Sequence, residues 1–306
     1  TTWFDAATYD SAKEYTLTEP EQVAGLATLV NGGYNFEGKT VTLVANDKTD
    51  NSLTLPENEN WTPIGNTRGS EFKGTISGGT DTKKPLVIKG LTLNDQFNAV
   101  KNGYLINCSS TGNMDKVGVG FVAYLGEGAT LSNIVFEDVN VNITDDAMDG
   151  ISIGVAVGYL DGGKIENVTV KGGSVKGVYR VAGLCGAAAW GTIKNCEVAN
   201  ITIESTGTQK GDSTYHAASG IVGYCRNFAI KETAMTTENA YRFNIKTEGY
   251  IKCTGVTTKS AVGITNVFGD FASNGYLVKV NGNAMGTYDA AAKKWIPANQ
   301  TSLLTK

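Results

Sequence analysis

The sequence predicts an all-β fold: a right-handed parallel β-helix with an N-terminal capping helix and a short β-rich C-terminal cap. Three observations predict it. A six-residue phrase recurs seven times, β-branched alternation begins at residue 40, and a single amphipathic helix precedes the repeats. A short strand-like phrase that returns at loose intervals is typical of a solenoid, whose turns bury their apolar edges against one another. Parallel crossovers strongly prefer the right hand, which sets the predicted handedness.

The six-residue motif, called here the phrase, begins with Ile or Leu in every copy and has Asn or Gly at its third position in five of them. The copies start at residues 88, 105, 131, 165, 193, 230 and 251. Asn tolerates the left-handed backbone that a corner needs, and stacked Asn side chains can hydrogen-bond along a column. Gly90 takes the same place in the first copy, because glycine has no Cβ to clash. We therefore expect corners at Asn107, Asn133, Asn167 and Asn195.

Composition narrows the class of protein. With 306 residues, the chain has room for two ordinary domains or one elongated repeat domain. Its 38 Gly residues are well above the usual share of about 7%, and its charged fraction of 18% is low, so an ordered chain is favoured over a disordered one. The net charge of −4 gives no electrostatic reason to expect nucleic acid or an anionic membrane as partner. No segment approaches the ~20 apolar residues of a membrane-spanning helix.

The cysteines predict no metal centre and no cofactor. They form no Cys-x-x-Cys pair, and the single histidine, His216, leaves too few ligands for a zinc site. Cys108 and Cys196 occupy the same position of the phrase, which favours small apolar residues stacked inside the solenoid over a disulfide framework.

Residues 18–31 are predicted to form the helix. Thr18 is the expected N-cap, and Glu21 completes a capping box. An apolar stripe with helical spacing follows at Val23, Leu26, Ala27 and Val30. We expect this helix to cover the N-terminal end of the solenoid, where the core and a strand edge would otherwise be exposed.

The chain divides into a β-helix region, 1–257, and a C-terminal β cap, 258–306. In the cap, residues 276–280 alternate as a strand, Asn281-Gly282 is a tight-turn signal, and residues 288–295 are expected to return antiparallel. Two polar inserts, 143–150 and 205–216, interrupt the repeats. Inserts of a solenoid form loops, so specific function is expected there. The chain starts at Thr1 without Met, and we expect it to be part of a longer product.

A second pattern lies upstream of the phrase. A small–large–apolar–small tetrad recurs, most clearly at Gly183 to Gly186 and Gly220 to Gly223. A tyrosine follows the tetrad in three of four units, at Tyr124, Tyr159 and Tyr224. These tyrosines are consistent with a ladder for stacking on sugar rings or with structural packing, and packing is favoured.

The two tetrads, each followed by an Ile-Lys phrase, resemble the GLUG motif. Residues 26–31, 61–65 and 72–78 resemble the region that precedes such repeats, so the resemblance covers about residues 15–257. Proteins of this family are secreted or surface-anchored bacterial adhesins, many from gut Bacteroidota. The resemblance implies a parallel β-helix at an extracellular or outer-membrane location, and it implies almost nothing about the ligand. Val155 in place of Gly and Glu232 in place of Asn depart from the pattern.

The strongest carboxylate cluster is Asp145, Asp146 and Asp149, on the first insert. Glycoside hydrolysis needs such paired carboxylates. However, the Gly-His-Gly and Arg-x-Lys phrases expected of pectin-hydrolase-type sites are absent. The same oxygens suit Ca²⁺, although a hydrated turn with Asp at its capping positions is favoured. Further ligand-binding candidates are Trp190, an aromatic on a turn, and Tyr215 and His216, at the end of the second insert.

The leading hypothesis is a non-enzymatic, secreted or cell-surface adhesin-like protein. It would bind a glycan or a host or bacterial surface protein along one face of the β-helix. A polysaccharide lyase or glycoside hydrolase of β-helix type is the alternative, and a structural stalk that displays another domain is a further one. Attachment to a membrane through a lipid on a removed N-terminus stays open.

Overall fold

The computed structural model describes residues 3–56, 59–66, 70–95, 118–148, 150–208, 216–228, 230, 234–270, 278–292 and 294–306. In this part of the chain, parallel strands stack into one continuous 15-stranded sheet, so the predicted all-β parallel solenoid is confirmed. A separate antiparallel pair, β16 and β17, follows it. The strands are β1 (Glu14–Leu17), β2 (Thr40–Leu43), β3 (Ser52–Thr54), β4 (Thr75–Ser77), β5 (Leu86–Lys89), β6 (Thr92–Asn94), β7 (Val122–Leu125), β8 (Thr130–Asn142), β9 (Val157–Gly177), β10 (Val181–Ala182), β11 (Cys185–Ser205), β12 (Ala217–Cys225), β13 (Asn244–Ser260), β14 (Ile264–Asp270), β15 (Lys279–Val280), β16 (Gly286–Asp289) and β17 (Lys294–Pro297).

The apolar first position of the phrase builds the core. Ile76, Leu131, Ile165 and Ile193 lie in register on β4, β8, β9 and β11, and each is fully buried. Burying one such side chain stabilises the fold by about 1.5–3 kcal/mol. The long strands β8, β9, β11 and β13 carry this stacking from coil to coil.

The predicted Asn corners are confirmed for the described residues. Asn133, Asn167 and Asn195 have positive φ angles of 58°, 51° and 53°. The buried side chain of Asn133 also donates hydrogen bonds to the carbonyls of Gly79 and Asp81, both at 3.0 Å. Asn107 lies outside the described residues.

Two copies of the phrase stack in a different column from the one that the sequence predicts. Ile88 pairs with Phe136, and Ile251 pairs with Cys196, so both copies lie beyond the Asn corner. The prediction that Gly90 occupies the Asn column was therefore wrong. Gly90, with φ 80°, instead forms the next corner, level with Asp138. Both columns pair apolar alternation with a left-handed corner, and a short phrase does not distinguish them.

Ile76-Ser77-Gly78 lies in the same column as Leu131, because Ile76 pairs with Leu131. The sequence pattern did not assign this segment to that column. The copy at residue 230 contributes no described strand, and Glu232 in that copy is not among the described residues. The copy at residue 105 also lies outside them.

Helix α1 (Pro20–Asn31) is the crossover between β1 and β2. Its apolar stripe, Val23 to Val30, is buried in the core as predicted. The predicted cap was wrong by one position: Glu19 is the N-cap, and Gln22 closes the capping box. Pro20 fixes the first helical position, and the Gln22 carboxamide accepts the Glu19 amide at 3.1 Å, as a carboxylate would.

The parallel ladder continues beyond residue 257, because β14 pairs with β12 and β15 pairs with β13. The predicted turn at Asn281-Gly282 is confirmed, with φ angles of 50° and 78°. Tyr288 pairs antiparallel with Trp295, but this pairing is internal to the β16–β17 hairpin. The division of the chain at residue 257 stays a prediction.

The described cysteines fill the interior, as predicted. Cys185, Cys196 and Cys225 are buried, and Cys253 is partly buried. Burial raises the pKa of Cys196 to about 12, so this thiol stays protonated. Cys108 lies outside the described residues. No helix in the described part of the chain has the length and apolarity to span a membrane.

Candidate functional site

The first insert forms a hydrated, capped turn. Asp145 and Asp146 are exposed, and Asp146 begins a short 3-10 helix. The Asp95 carboxylate accepts the amides of Thr144 and Asp145 at 2.6 and 2.9 Å. Burial alone would raise the pKa of Asp95, but these hydrogen bonds outweigh it and hold the pKa below its ordinary value. The described residues contain no group of three metal-ligating side chains, and Asp149 lies outside them.

The second insert does not present His216 to a surface ligand. His216 is only 4% exposed and packs edge-on against the Tyr179 ring at 5.9 Å. A Cβ on Gly207 would lie 2.1 Å from the imidazole, which shows how closely the backbone covers that ring. The structure therefore places His216 inside the fold, and its binding role stays a prediction. Tyr215 lies outside the described residues.

The tyrosine column is mainly structural, as the sequence favoured. Tyr159 and Tyr224 are each 1% exposed and belong to an aromatic cluster that contains Phe228. The Tyr159 hydroxyl accepts the Phe228 amide at 2.9 Å. Buried rings do not stack on a sugar, so a ladder of all three tyrosines is excluded. Tyr124 differs, because it is only partly buried and its hydroxyl reaches a pocket.

That pocket, called here the Asp161 pocket, lies where successive coils turn from the tyrosine column into the phrase. Asp161 on β9 and Trp190 on β11 are register partners in adjacent coils. The cavity measures about 130 Å³. Its lining residues are Glu71, Lys73, Tyr124, Gly126, Glu127, Asp161, Trp190 and Arg242.

Asp161 is held by one donor on each carboxylate oxygen. The Trp190 indole Nε1 donates to Oδ1 at 2.9 Å, and the Tyr124 hydroxyl donates to Oδ2. Burial raises the pKa of Tyr124 far above its ordinary range, so the phenol stays a donor. Burial likewise raises the pKa of Asp161, against the opposing effect of its two hydrogen bonds. The carboxylate is thus fixed in direction and is only partly hydrated.

Trp190 was a predicted binding candidate, and the structure places it in this pocket. It is partly buried, and its ring lies against Gly162, where a Cβ would come within 2.4 Å of the indole. Gly162 also has a φ of 92°, which favours glycine. The corner after Asp161 therefore gives the indole room to lie flat beside the carboxylate.

A short 3-10 helix, Ala240–Phe243, closes one side of the pocket. It belongs to the insertion between β12 and β13. Its Tyr241 is 54% exposed and meets the Trp190 ring edge-on at 5.2 Å. The Arg242 guanidinium lies 5.7 Å from the Trp190 ring centre and pairs with Glu127 at 3.8 Å. On the opposite rim, Lys73 pairs with Glu71 at 3.4 Å.

Sequence reasoning missed every pocket residue except Tyr124 and Trp190. One signal was available: Tyr124-Leu-Gly-Glu-Gly and Tyr159-Leu-Asp-Gly-Gly align, and each places one carboxylate among the corner glycines. Arg242 had no such signal, because only the fold of the insertion brings it to the pocket.

A second cavity, of about 150 Å³, lies between α1 and Trp61. Its amide Asn60 is already bonded to Asn94, through side-chain and backbone contacts at 3.0 and 2.8 Å. The Asp161 pocket combines aromatic rings, fixed donors and a partly buried carboxylate, and it is therefore the better candidate.

Comparisons with family models, with curated proteins and with solved structures found no match to this chain. Function is therefore inferred from the geometry and charge of the Asp161 pocket.

Proposed function

We propose that the protein is a non-enzymatic, secreted or cell-surface binding protein of adhesin type, and that the Asp161 pocket holds one sugar unit of a glycan. The observation that carries this proposal is the placement of Trp190 beside a carboxylate fixed by two donors, with Tyr241 edge-on against the Trp190 ring. A pyranose ring offers C–H groups on its faces and hydroxyls around its edge. Aromatic rings suit the faces, and a directed carboxylate suits the hydroxyls.

The charges on the outer faces of the coils favour a ligand that binds in the pocket over a partner that contacts a whole face of the β-helix. Glu166, Lys194 and Glu248 stack in one column of alternating sign, with Lys194 lying 3.6 Å from Glu166. Lys176, Glu204 and Lys259 form another such column. Within each column the opposite charges neutralise one another, which leaves little net charge to attract a partner.

Glycoside hydrolysis is the second candidate, because Glu71, Glu127 and Asp161 line the same pocket and burial raises the pKa of Asp161. Binding is favoured because both oxygens of Asp161 already accept hydrogen bonds, from Trp190 and Tyr124, which orients the group as an acceptor and not as the proton donor that hydrolysis needs. A reducing-end assay on each glycan that binds distinguishes the two. Product release that Asp161→Asn abolishes would establish the hydrolase.

A glycan array followed by calorimetric titration tests the proposal. We expect Trp190→Ala and Tyr241→Ala to weaken binding about tenfold or more, the equivalent of 1.4 kcal/mol. Tyr241 is exposed, so its variant is expected to fold normally. Asp145→Asn, on the first insert, is the control and should bind as the unmodified protein does. A folded protein that binds no glycan would contradict the proposal and favour the stalk.

A further inference from the structure

We infer that the Asp161 pocket selects a sugar that carries a free, protonated amino group. This inference rests on the proposed glycan-binding function and specifies the ligand class of the same site. It depends on three features of the pocket: its charge balance, its aromatic pair and the cation that already lies against that pair.

The charge balance leaves one carboxylate without a direct ion pair. Glu71, Glu127 and Asp161 face two cations, Lys73 and Arg242. Lys73 is paired with Glu71, and Arg242 with Glu127. Asp161 forms no ion pair within the described residues: its two hydrogen-bond donors are neutral, and Arg242 acts on it only through longer-range attraction. A partly buried carboxylate is stabilised most by a cation at hydrogen-bonding distance, which an ammonium group of a ligand would supply.

The aromatic pair already holds a cation. The Arg242 guanidinium lies 5.7 Å from the centre of the Trp190 ring and 5.6 Å from that of Tyr241. Both distances are within the range of about 6 Å at which a ring face attracts a positive charge. The rings and the carboxylates Asp161 and Glu127 thus form a surface suited to positive charge, and an ammonium group would compete there with Arg242.

The other two classes of sugar fit less well. A uronic acid would bring a further negative charge beside three carboxylates, and both cations of the pocket are already paired. A neutral hydroxyl in place of the amine could bond Asp161, but it would leave the charge uncompensated. An ammonium group adds the attraction between opposite charges to its hydrogen bond with the carboxylate, and a hydroxyl lacks that attraction.

The test compares one glycan backbone with four substituents. The glycan array identifies the backbone, and that backbone is then titrated with a free amine, an acetamide, a hydroxyl or a carboxylate at the same position, at a pH that protonates the amine. We expect the amine to bind about tenfold more tightly than the acetamide or the hydroxyl, and the carboxylate to bind weakest. Equal affinity for the amine and the hydroxyl, or preference for the carboxylate, would overturn the inference alone. An array without any bound glycan would overturn the proposed function as well.

Two variants separate a charge effect from a structural one. Asp161→Asn should abolish the preference for the amine while neutral sugars still bind, whereas a damaged pocket would lose both. Arg242→Gln removes the competing cation and should strengthen binding of the amine. Weaker amine binding by Arg242→Gln would contradict the inference, since it would mean that the guanidinium attracts the ligand.

Discussion

At the scale of single residues, the main feature is a carboxylate whose burial opposes stability. Asp161 lies in a partly buried site where its two hydrogen-bond donors are neutral, and burial raises its pKa. Residues of a binding site are often retained at a cost to folding. Stability and binding should therefore respond in opposite directions when this residue is replaced.

We predict that Asp161→Asn stabilises the protein at neutral pH by about 0.5–2 kcal/mol, the usual range for a single stabilising substitution. The folded pKa of Asp161 is raised above 3.8, through burial and the nearby Glu71, against Tyr124, Trp190 and Arg242. The folded state thus holds the proton more tightly, and the free energy of unfolding falls as pH rises through the interval above 3.8. Urea unfolding at a series of pH values should show that Asp161→Asn becomes more stable than the unmodified protein over that interval. A variant that is less stable at every pH would contradict this.

Gly162 is predicted to be required for the position of Trp190. Gly162→Ala would place a Cβ 2.4 Å from the indole, whereas Gly263, with a similar positive φ of 75°, has open space around it. Gly263→Ala should lower the free energy of unfolding by about 1–2 kcal/mol, from backbone strain alone. Gly162→Ala should cost about 1–3 kcal/mol more, from overpacking. It should also abolish glycan binding, which Gly263→Ala should leave intact. Equal stability and equal binding of the two variants would contradict the assigned role.

At the scale of elements, the Asn corners differ in what their side chains contribute. Asn133 donates to the carbonyls of Gly78, Gly79 and Asp81, so Asn133→Ala should cost about 2–4 kcal/mol through lost hydrogen bonds and strain. Asn167 makes no comparable side-chain bonds within the described residues, so Asn167→Ala should cost about 1–2 kcal/mol. Asn167→Gly should be nearly neutral. Denaturant midpoints check this order, and equal costs at both corners would refute it.

The elements were predicted correctly from the sequence where only a few residue types meet a physical requirement. The left-handed corner at Asn195 and the buried stripe of α1 were both predicted, because few residues satisfy a positive φ or a helical face. Register was predicted less well. Ile88 and Ile251 resemble Leu131 in sequence but stack in another column, since inward apolar positions are alike in both.

At the scale of the whole molecule, the site could not be predicted because it joins distant parts of the chain. Glu71, Tyr124, Asp161 and Trp190 come from successive coils, and Arg242 comes from an insertion. Their separation in sequence is fixed by coil length, which varies from one repeat to the next. The inserts that the sequence favoured form a capped turn around Asp145 and a buried position for His216.

Solenoid coils contact mainly their neighbours, so the ends should open independently of the centre. Lys39 is 5% exposed, and its ammonium donates to the carbonyls of Tyr9 and Ala12 at 2.5 and 2.6 Å. Lys39→Met leaves both carbonyls unsatisfied, at about 1–3 kcal/mol each. Hydrogen exchange should show lost protection in β1 and β2 and retained protection in β9 and β11. Uniform loss along the chain would show that the solenoid unfolds as one unit.

The most direct test of the central claim is a crystal structure of the protein with a glycan identified on the array. The account predicts electron density for a sugar ring in the Asp161 pocket, against Trp190 and Tyr241, with a polar group at hydrogen-bonding distance from the Asp161 carboxylate. A glycan bound instead at the turn around Asp145, or along the charged faces of the coils, would contradict it.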